Sequence, residues 1–458
     1  MNNLLKNKIN NIARKFEIDS AVIFSITTKL WGILAGMITL TLILLFFTKS
    51  MQGYYYTFSS ILALNIFIEM GLGSVVQQFT SHEWSNLFIN KNGEIEGNHE
   101  SKSKLRSIII IAIKWFTYGS IASIIFITIG GYFFLSNVKQ LEINWIAPWI
   151  SLCILSCINF LFTPIWAVLE GCNQVKNLYR FRLIQSIIIN ITVWVSLIIH
   201  LNLWVASAAT LVSIVSSIVF LKKRYFIFFE SIIKFKTNGP VINWASDMIS
   251  MQWRVAISWV SGYFSVYFFT PVIFKFYGPE IAGRFGMTLS IINLIGSIGI
   301  SWLTPRVPTF SILIAQNDYK ELHRRFFNLI RIMFFIIFSL NLFFLLFIFL
   351  INFSQTEFTQ KLSSRLLPPL PVFYLVVAQF FQVISNPFSS YMRSHKKEPV
   401  MGISLVQGIL IVISTFFFGK FYTLNFIAFS YMIISIFGFL IVLNIWINFK
   451  RNLNIIYA

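Results

Sequence analysis

The sequence NWASDMISMQWRVAISWVSGYFS, residues 243–265, carries its polar side chains at helical spacing. These side chains are Asn243, Asp247, Ser250, Arg254, Ser258, Ser261 and Ser265. Successive members lie three or four residues apart, which places all seven on one face of an α-helix. From Asp247 to Ser265 such a helix would be about 27 Å long, close to the thickness of a bilayer core. We expect this polar face to contact other helices or a water-filled cavity, because a charge in hydrocarbon is costly.

The whole chain has the composition of a membrane protein. Its 458 residues are 57% hydrophobic and only 11% charged, and the mean hydropathy is +0.75. Twelve apolar segments are each long enough to cross a bilayer. Their approximate ranges are 23–47, 54–76, 107–131, 145–169, 183–201, 203–221, 246–270, 283–303, 330–352, 367–388, 400–419 and 424–447. The sequence therefore predicts an all-α polytopic membrane protein, whose first apolar segment is a span and not a cleaved signal peptide.

The formal charge is +20. The basic residues that produce it are distributed along the chain as the topology of a membrane protein requires. With the N-terminus in the cytoplasm, 27 Lys and Arg residues fall in cytoplasmic segments and 7 in outer segments. The positive-inside rule thus predicts that both termini are cytoplasmic. It also accounts for the basic charge, so we expect no binding of nucleic acid. The cysteines Cys153, Cys157 and Cys172 lack metal-ligand spacing and are expected to be free thiols.

Weak self-similarity indicates that the chain is duplicated. Each match has an offset between 222 and 230 residues: Gly32 with Gly262, Gly53 with Gly283, Pro164 with Pro387, and residues 183–187 with 405–409. We predict a six-helix bundle at 1–221, a cytoplasmic or interfacial linker at 222–245, and a second six-helix bundle at 246–458. An even number of spans makes the repeats parallel, and such bundles enclose a central cavity in transporters. The linker stretch KKRYFIFFESIIKFK, residues 222–236, predicts a helix in the membrane interface.

Charged and polar residues inside the spans are the candidates for function. Candidate substrate-binding residues are Arg254, Lys29, Lys114, Asn293 and Gln382, and the ion-coupling candidates are Glu69 and Asp247. Intramembrane ionisable groups are rare and are commonly functional. Snorkelling of the cations to the surface and hydrogen bonding between helices are the alternative roles. Because cations outnumber acids in this set, the preferred substrate should be anionic.

Sequence signatures of catalysis are not found in the chain. It has no P-loop, nucleotide-binding fingerprint, metal-ligand cluster or nucleophile triad. We therefore expect no cofactor, no metal and no enzymatic activity, with energy drawn from an ion gradient, the membrane potential or substrate supply. The short outer loops leave no room for the external domain of a polymerase or glycosyltransferase.

The most specific stretch is QGYYYTFSSILALNIFIEMGLGSVVQQFTSHEW, Gln52–Trp84, a Gly-aromatic outer turn followed by a Gly-rich helix end. With this stretch and its twelve spans, the chain resembles the multidrug/oligosaccharidyl-lipid/polysaccharide flippase superfamily, particularly the O-antigen (Wzx-type) flippases. The resemblance implies transfer of an undecaprenyl-diphosphate-linked oligosaccharide from the cytoplasmic to the periplasmic leaflet of a bacterial inner membrane. It implies alternating access coupled to a proton or sodium ion.

Other functions remain open from the sequence. A cation-coupled drug exporter of the same superfamily is the main alternative, and a membrane polysaccharide polymerase or glycosyltransferase is a weaker one. For the flippase, contact with a polysaccharide polymerase and a chain-length regulator is a further expectation about partners.

Overall fold

The computed structural model describes residues 20–136, 143–235, 239–307, 310, 313–314, 317–354, 356–395 and 399–457. The N-terminal residues 1–19 and linker positions 236–238 lie outside this description, as do the side chains of Ser258 and Ser265. Predictions that concern those residues stay predictions.

The second span is broken. The first span is the single helix α1 (Ser20–Phe46). The chain then forms α2 (Lys49–Leu62), a 3₁₀ turn (Ala63–Asn65), the short α3 (Ile66–Glu69) and α4 (Leu72–Trp84). The axis turns by 46° between Glu69 and Leu72.

A small hairpin follows on the predicted cytoplasmic side. Strands β1 (Leu87–Ile89) and β2 (Ile95–Gly97) pair antiparallel. The remaining helices of this half are α5 (His99–Ser136), α6 (Ile146–Phe160), α7 (Thr163–Gly171), α8 (Val175–Ile198), α9 (Trp204–Arg224) and α10 (Phe226–Ile233). The tight turn between α8 and α9 uses left-handed backbone at His200 and Asn202, where the sequence predicted two spans joined by almost no loop.

The second half begins with a π-helical turn (Trp244–Met248) that leads directly into α11 (Ile249–Val266). The later elements are α12 (Phe269–Leu303), a 3₁₀ turn (Thr304–Arg306), α13 (Tyr319–Phe353), α14 (Glu357–Ser363), α15 (Pro369–Ser394), α16 (Met401–Phe421) and α17 (Leu424–Tyr457). Gly278 (φ 81°) interrupts α12 just before Pro279.

The described helices account for the twelve predicted crossings. Ten helical segments are long and apolar enough to span, and the bent pair around Glu69 makes eleven. One of the ten, Trp244–Leu303, has 60 residues. At 1.5 Å per residue it would be about 90 Å long, so its breaks must divide it into two crossings. The predicted all-α polytopic fold is confirmed, with the hairpin as an addition that the sequence analysis did not include.

Large apolar side chains cover the outer surfaces of the helices. Phe126, Phe343 and Phe353 expose 75%, 71% and 79% of their surface. Water-soluble proteins seldom present such continuous apolar surface, so lipid is its expected surrounding.

Contacts between Cα atoms divide the chain into two compact units. Unit 1 contains the described residues of Met1–Thr39, Ile68–Gly130 and Ile146–Ala256, and unit 2 those of Leu40–Phe67, Gly131–Trp145 and Ile257–Ala458. The predicted boundary of the duplication, at 222–245, concerns sequence repeats and stays a prediction.

Each unit has its own apolar core. In unit 1, buried residues such as Leu72, Phe116 and Phe228 join the second and third spans to the linker helix α10. In unit 2, Phe326, Tyr391 and other buried residues join α13, α15 and α17.

The linker helix α10 is apolar on both its buried and its exposed side, and it packs on the hairpin. Phe228 and Ile232 are buried, whereas Phe226, Ile227 and Ile233 are exposed. The backbone N–H of Ile95 donates to the Ser231 hydroxyl at 3.2 Å. The linker therefore contains a helix where one was predicted, held against the hairpin at the predicted cytoplasmic end of unit 1.

Candidate functional site

Two successive left-handed residues, Met70 (φ 48°) and Gly71 (φ 67°), break the second span. Left-handed backbone is uncommon for a residue other than glycine, so this geometry must be held by its surroundings. A break inside a membrane also frees backbone groups that need partners. Here the Trp115 indole N–H donates to the Ile68 carbonyl at 3.0 Å. The Gly71 carbonyl accepts from the N–H of Ser74 at 3.1 Å.

Glu69 is the last residue before the break and lies against the first turn of α4. A Cβ added at Gly73 would be only 2.9 Å from the Glu69 Oε1 atom. Free N–H groups at a helix N-terminus favour a carboxylate. Among the described residues, Glu69 is in no ion pair. Intramembrane carboxylates often mark proton or ion pathways, and broken helices form ion sites in transporters, so Glu69 stays a candidate for ion coupling.

The start of the seventh span packs directly on this break. A Cβ added at Gly71 would approach the Val255 Cγ1 atom to 2.4 Å. The Trp244 and Trp115 rings are 5.3 Å apart, and the Trp244 indole donates to the Gln252 Oε1 atom at 2.7 Å. The packed face of α11 therefore includes Gln252, a polar residue outside the predicted stripe.

The predicted stripe of α11 lies on a different face and divides into two parts. Asp247, Ser250 and Arg254 are exposed, whereas Ser261 is only 5% exposed. The stripe thus starts on an accessible surface and ends, at Ser261, in a helix contact with Gly408.

Asp247 has a local structural role. Its Oδ2 atom accepts from the Asn243 backbone N–H at 2.9 Å, and its Oδ1 atom accepts from the Ser246 hydroxyl at 2.8 Å. Both oxygens therefore cap the first turn of the seventh span, whereas the Glu69 carboxylate keeps its capacity for an external ligand.

Three predicted cations in the same unit have no acidic partner in the described part of the chain. Lys29 on α1, Lys114 on α5 and Arg254 on α11 are exposed, and none is in an ion pair among the described residues. Lys114 directly precedes Trp115, which caps the broken span. The Arg254 guanidinium lies 5.9 Å from the centre of the Trp253 ring. Unit 1 thus holds five of the seven candidates: these three cations, Glu69 and Asp247.

The other two candidates, Asn293 and Gln382, belong to unit 2. Asn293 is exposed on α12. Gln382 is half-buried on α15, and its amide donates to the Ser435 hydroxyl at 3.4 Å. This contact fits the alternative role of a polar residue that joins helices.

A similar network joins helices in unit 1. The Ser213 hydroxyl donates to Asn159 Oδ1 at 3.1 Å, and Gln185 Nε2 donates to the Ser213 carbonyl at 3.0 Å. In unit 2, Gln407 Nε2 donates to the Ile434 carbonyl at 3.3 Å. The related pairs are Gln185 with Gln407, Ser213 with Ser435 and Asn159 with Gln382, at offsets of 222 to 223 residues. Polar residues at positions related by the predicted repeat therefore make similar contacts.

One acidic residue inside a helix was missed by the sequence analysis. Glu170, near the end of α7, pairs with Arg182 at 2.8 Å, and Arg182 also lies 5.5 Å from the centre of the Tyr179 ring. Its position in the otherwise apolar stretch PIWAVLEG could have identified Glu170. Its pairing makes it a structural group, in contrast to Glu69.

No family model matches the chain, and no curated protein matches it in sequence. Solved structures do match it over nearly their full length. The lipid II flippase MurJ in an inward closed conformation has a TM-score of 0.64 and 16% identity, covering 92% of this chain and 87% of that one.

Two multidrug transporters give similar values. An inward-facing MATE family transporter of the MOP superfamily has a TM-score of 0.62 and 13% identity, with 90% and 99% covered. The MATE multidrug transporter DinF-BH has a TM-score of 0.63 and 11% identity, with 97% and 98% covered. At these identities the likeness establishes the fold, which is that of MOP superfamily transporters.

Proposed function

We propose that this protein is a flippase for an undecaprenyl-diphosphate-linked oligosaccharide, an O-antigen or similar repeat unit. It would move this lipid from the cytoplasmic to the periplasmic leaflet by alternating access. The observation that carries the proposal is the set of unpaired cations in unit 1, Lys29, Lys114 and Arg254, on three different spans.

The charge of these residues matches the proposed ligand. A diphosphate linkage is anionic, and arginine binds phosphate through paired N–H donors while lysine acts as a point charge. Cations already held by carboxylates would have to break an ion pair first. These three have none among the described residues, so they are available for phosphate or acidic sugar.

Glu69 is the proposed ion-coupling residue. Its carboxylate lies at the broken second span without a cationic partner in the described part of the chain, and could bind a proton or a sodium ion in one conformation and release it in another. Asp247 is the second coupling candidate, although its oxygens are occupied by the helix cap.

A cation-coupled drug exporter is the second candidate function. Glu69 favours it, because an unpaired carboxylate attracts cationic compounds, and the fold also occurs in multidrug transporters. Against it, the candidate residues of unit 1 include three cations that are in no ion pair among the described residues, and these would repel a cationic drug.

The proposal includes a location and an organisation. The protein would lie in a bacterial inner membrane with both termini in the cytoplasm, as two six-helix bundles, 1–221 and 246–458, around a central cavity. It would use no cofactor or metal and catalyse no reaction. A polysaccharide polymerase and a chain-length regulator are the proposed protein partners.

Replacing Arg254 with Ala in a strain that lacks the chromosomal copy tests the proposal. Loss of a charge-assisted hydrogen bond costs about 1.5–3 kcal/mol, so surface polysaccharide should fall about tenfold or more at equal protein level. Arg180→Ala is the matched control, because Arg180 is also exposed in unit 1 but near the start of α8. It should leave the polysaccharide level unchanged.

Two results would oppose the proposal. Normal polysaccharide with Arg254→Ala would remove Arg254 from the site. Normal polysaccharide in the deletion strain, together with greater sensitivity to cationic drugs, would favour the exporter instead.

A further inference from the structure

A groove separates one end of α13 from the last turns of α17. Its volume is about 310 Å³, and its lining residues are Phe327, Trp446, Ile447, Lys450 and Arg451. All of them belong to unit 2. Both helices pack on α15, so the groove is the space left between them at the predicted cytoplasmic membrane surface.

The floor of the groove is aromatic and firmly packed. Trp446 is 5% exposed, and its ring centre lies 5.4 Å from that of Phe326 and 5.2 Å from that of Phe388. Phe327 meets Trp446 edge to face at 6.0 Å and exposes 46% of its surface. This floor is apolar, accessible and fixed in place, which suits contact with a hydrocarbon chain.

The mouth of the groove is cationic. The Lys450 amine lies 5.6 Å above the Phe327 ring and 5.7 Å above the Trp446 ring, so it leans over the floor instead of extending into water. Arg451 is the next lining residue. On α13 the nearby carboxylate, Glu321, is held by Arg324 and Arg325 at 2.7 Å each. The described lining of the groove contains no Asp or Glu, so no carboxylate there neutralises Lys450 and Arg451.

Trp446 also contributes a hydrogen-bond donor. Its indole Nε1 is buried and has no acceptor among the described residues. An unpaired buried donor is unfavourable, and a ligand oxygen would supply the missing acceptor only where the ring turns its Nε1 atom toward the groove.

We propose that this groove binds a membrane phospholipid with an anionic headgroup. The phosphate would lie between Lys450 and Arg451, and the first part of an acyl chain would lie on Phe327, Trp446 and Ile447. Basic pockets between membrane helices recognise anionic lipids in this way. The site is independent of the proposed transported substrate, because none of that substrate's candidate residues lines the groove.

Photo-crosslinking of the full-length protein in nanodiscs tests the proposal. The discs would contain phosphatidylcholine with about a tenth of either phosphatidylglycerol or phosphatidylcholine that carries a diazirine near the glycerol end of one acyl chain. We expect labelled peptides that contain Phe327 or Trp446, with phosphatidylglycerol labelling them about fivefold more than phosphatidylcholine.

The variant Lys450→Gln/Arg451→Gln should lose this preference for phosphatidylglycerol. Neither side chain is in an ion pair in the described part of the chain, so the fold should persist, as an unchanged unfolding temperature would show. Lys222→Gln/Lys223→Gln is the matched control, since these two exposed lysines lie in the last turn of α9 and do not line this groove. Equal labelling by both lipids, or equal loss in the control variant, would overturn the proposal.

Discussion

Glu69 and Asp247 are both acidic residues in predicted spans, but their carboxylates have different surroundings in the structure. Asp247 binds a backbone N–H and a hydroxyl, one on each oxygen. Glu69 lies against the first turn of α4, beside the left-handed pair Met70 and Gly71. Because no described residue pairs with Glu69, it is the carboxylate that we propose as the coupling residue.

Replacing Glu69 with Gln should reduce transport about tenfold or more, because the amide keeps the size of the side chain but cannot exchange a proton or bind sodium. Stability should change little, since no ion pair to Glu69 is lost. Surface polysaccharide and the unfolding temperature of the purified protein measure the two effects.

Glu357→Gln is the control for this substitution. Glu357 is 83% exposed on α14 and pairs only with Lys361, one turn away. Exposed pairs contribute little, so this variant should behave as the parent does. Normal transport by Glu69→Gln would show that coupling does not use this carboxylate.

The charged candidates could be found from the sequence because an ionisable residue within an apolar segment is easily recognised there. Their pairing could not, because it depends on helices far apart in the chain. Arg182 directly precedes the fifth predicted span in sequence, and Glu170, on a different helix, pairs with it at 2.8 Å. Gln252 lies outside the predicted stripe, yet it is buried and bonded to Trp244.

At the scale of single elements, the break in the second span is the main departure from the predicted segments. Residues 54–76 were predicted as one continuous span, and hydropathy indeed continues across the break. The break requires a left-handed residue that also tolerates Val255 at close range, and only glycine satisfies both. The sequence contained Gly71, but its neighbour on α11 could not be known.

Replacing Gly71 with Ala should destabilise the protein by about 2–4 kcal/mol. The left-handed backbone costs an L-residue about 1–2 kcal/mol, and the new Cβ, 2.4 Å from Val255 Cγ1, adds a similar overpacking cost. The double variant Gly71→Ala/Val255→Ala should recover part of the loss by relieving the clash. The apparent unfolding temperature in detergent measures all three proteins.

Gly32→Ala is the matched control. Gly32 lies within α1, and an added Cβ would meet nothing within 4 Å. Alanine should therefore be neutral or stabilising there, by up to about 1 kcal/mol. If Gly71→Ala were as stable as Gly32→Ala, the described contact between the second and seventh spans would be incorrect.

The hairpin was also missed, although the sequence held a sign of it. Asn92-Gly93 lies between the two short strands, and Gly93 has φ 88°. Asn-Gly is a strong hairpin indicator. Because the flanking residues are charged and the strands have only three residues each, the alternation of apolar and polar residues is too short to predict a strand.

At the scale of the whole molecule, the repeat-related glycines Gly53 and Gly283 meet. A Cβ added at Gly283 would be 2.7 Å from the Gly53 backbone nitrogen, and one at Gly53 would be 1.8 Å from the Pro279 carbonyl oxygen. Gln52 secures the contact by donating to the Gly283 carbonyl at 2.8 Å. Arg365 donates in turn to Gln52 Oε1 at 3.3 Å. The second and eighth spans thus touch at corresponding positions, near their predicted outer ends.

Sequence could predict that these glycines are related, but not that they are in contact. A transporter populates at least two conformations that differ by only a few kcal/mol, and both satisfy the same hydropathy and charge pattern. The contacts that close in one conformation therefore depend on details of packing, such as the absence of a Cβ at Gly53. The pattern of hydropathy and charge along the sequence does not contain these details.

If the two halves alternate, the Gly53–Gly283 contact must open when the substrate leaves on the outer side. Gly53→Ala should shift the population toward that open form, because its Cβ cannot fit beside Pro279. A cysteine at the fully buried Thr57 should then react several-fold faster with a membrane-impermeant maleimide in cells. The native cysteines are buried, which keeps the background low. Thr415→Cys, equally buried on α16, should stay unreactive. Unchanged reactivity at position 57 would mean that this contact does not control access from the outside.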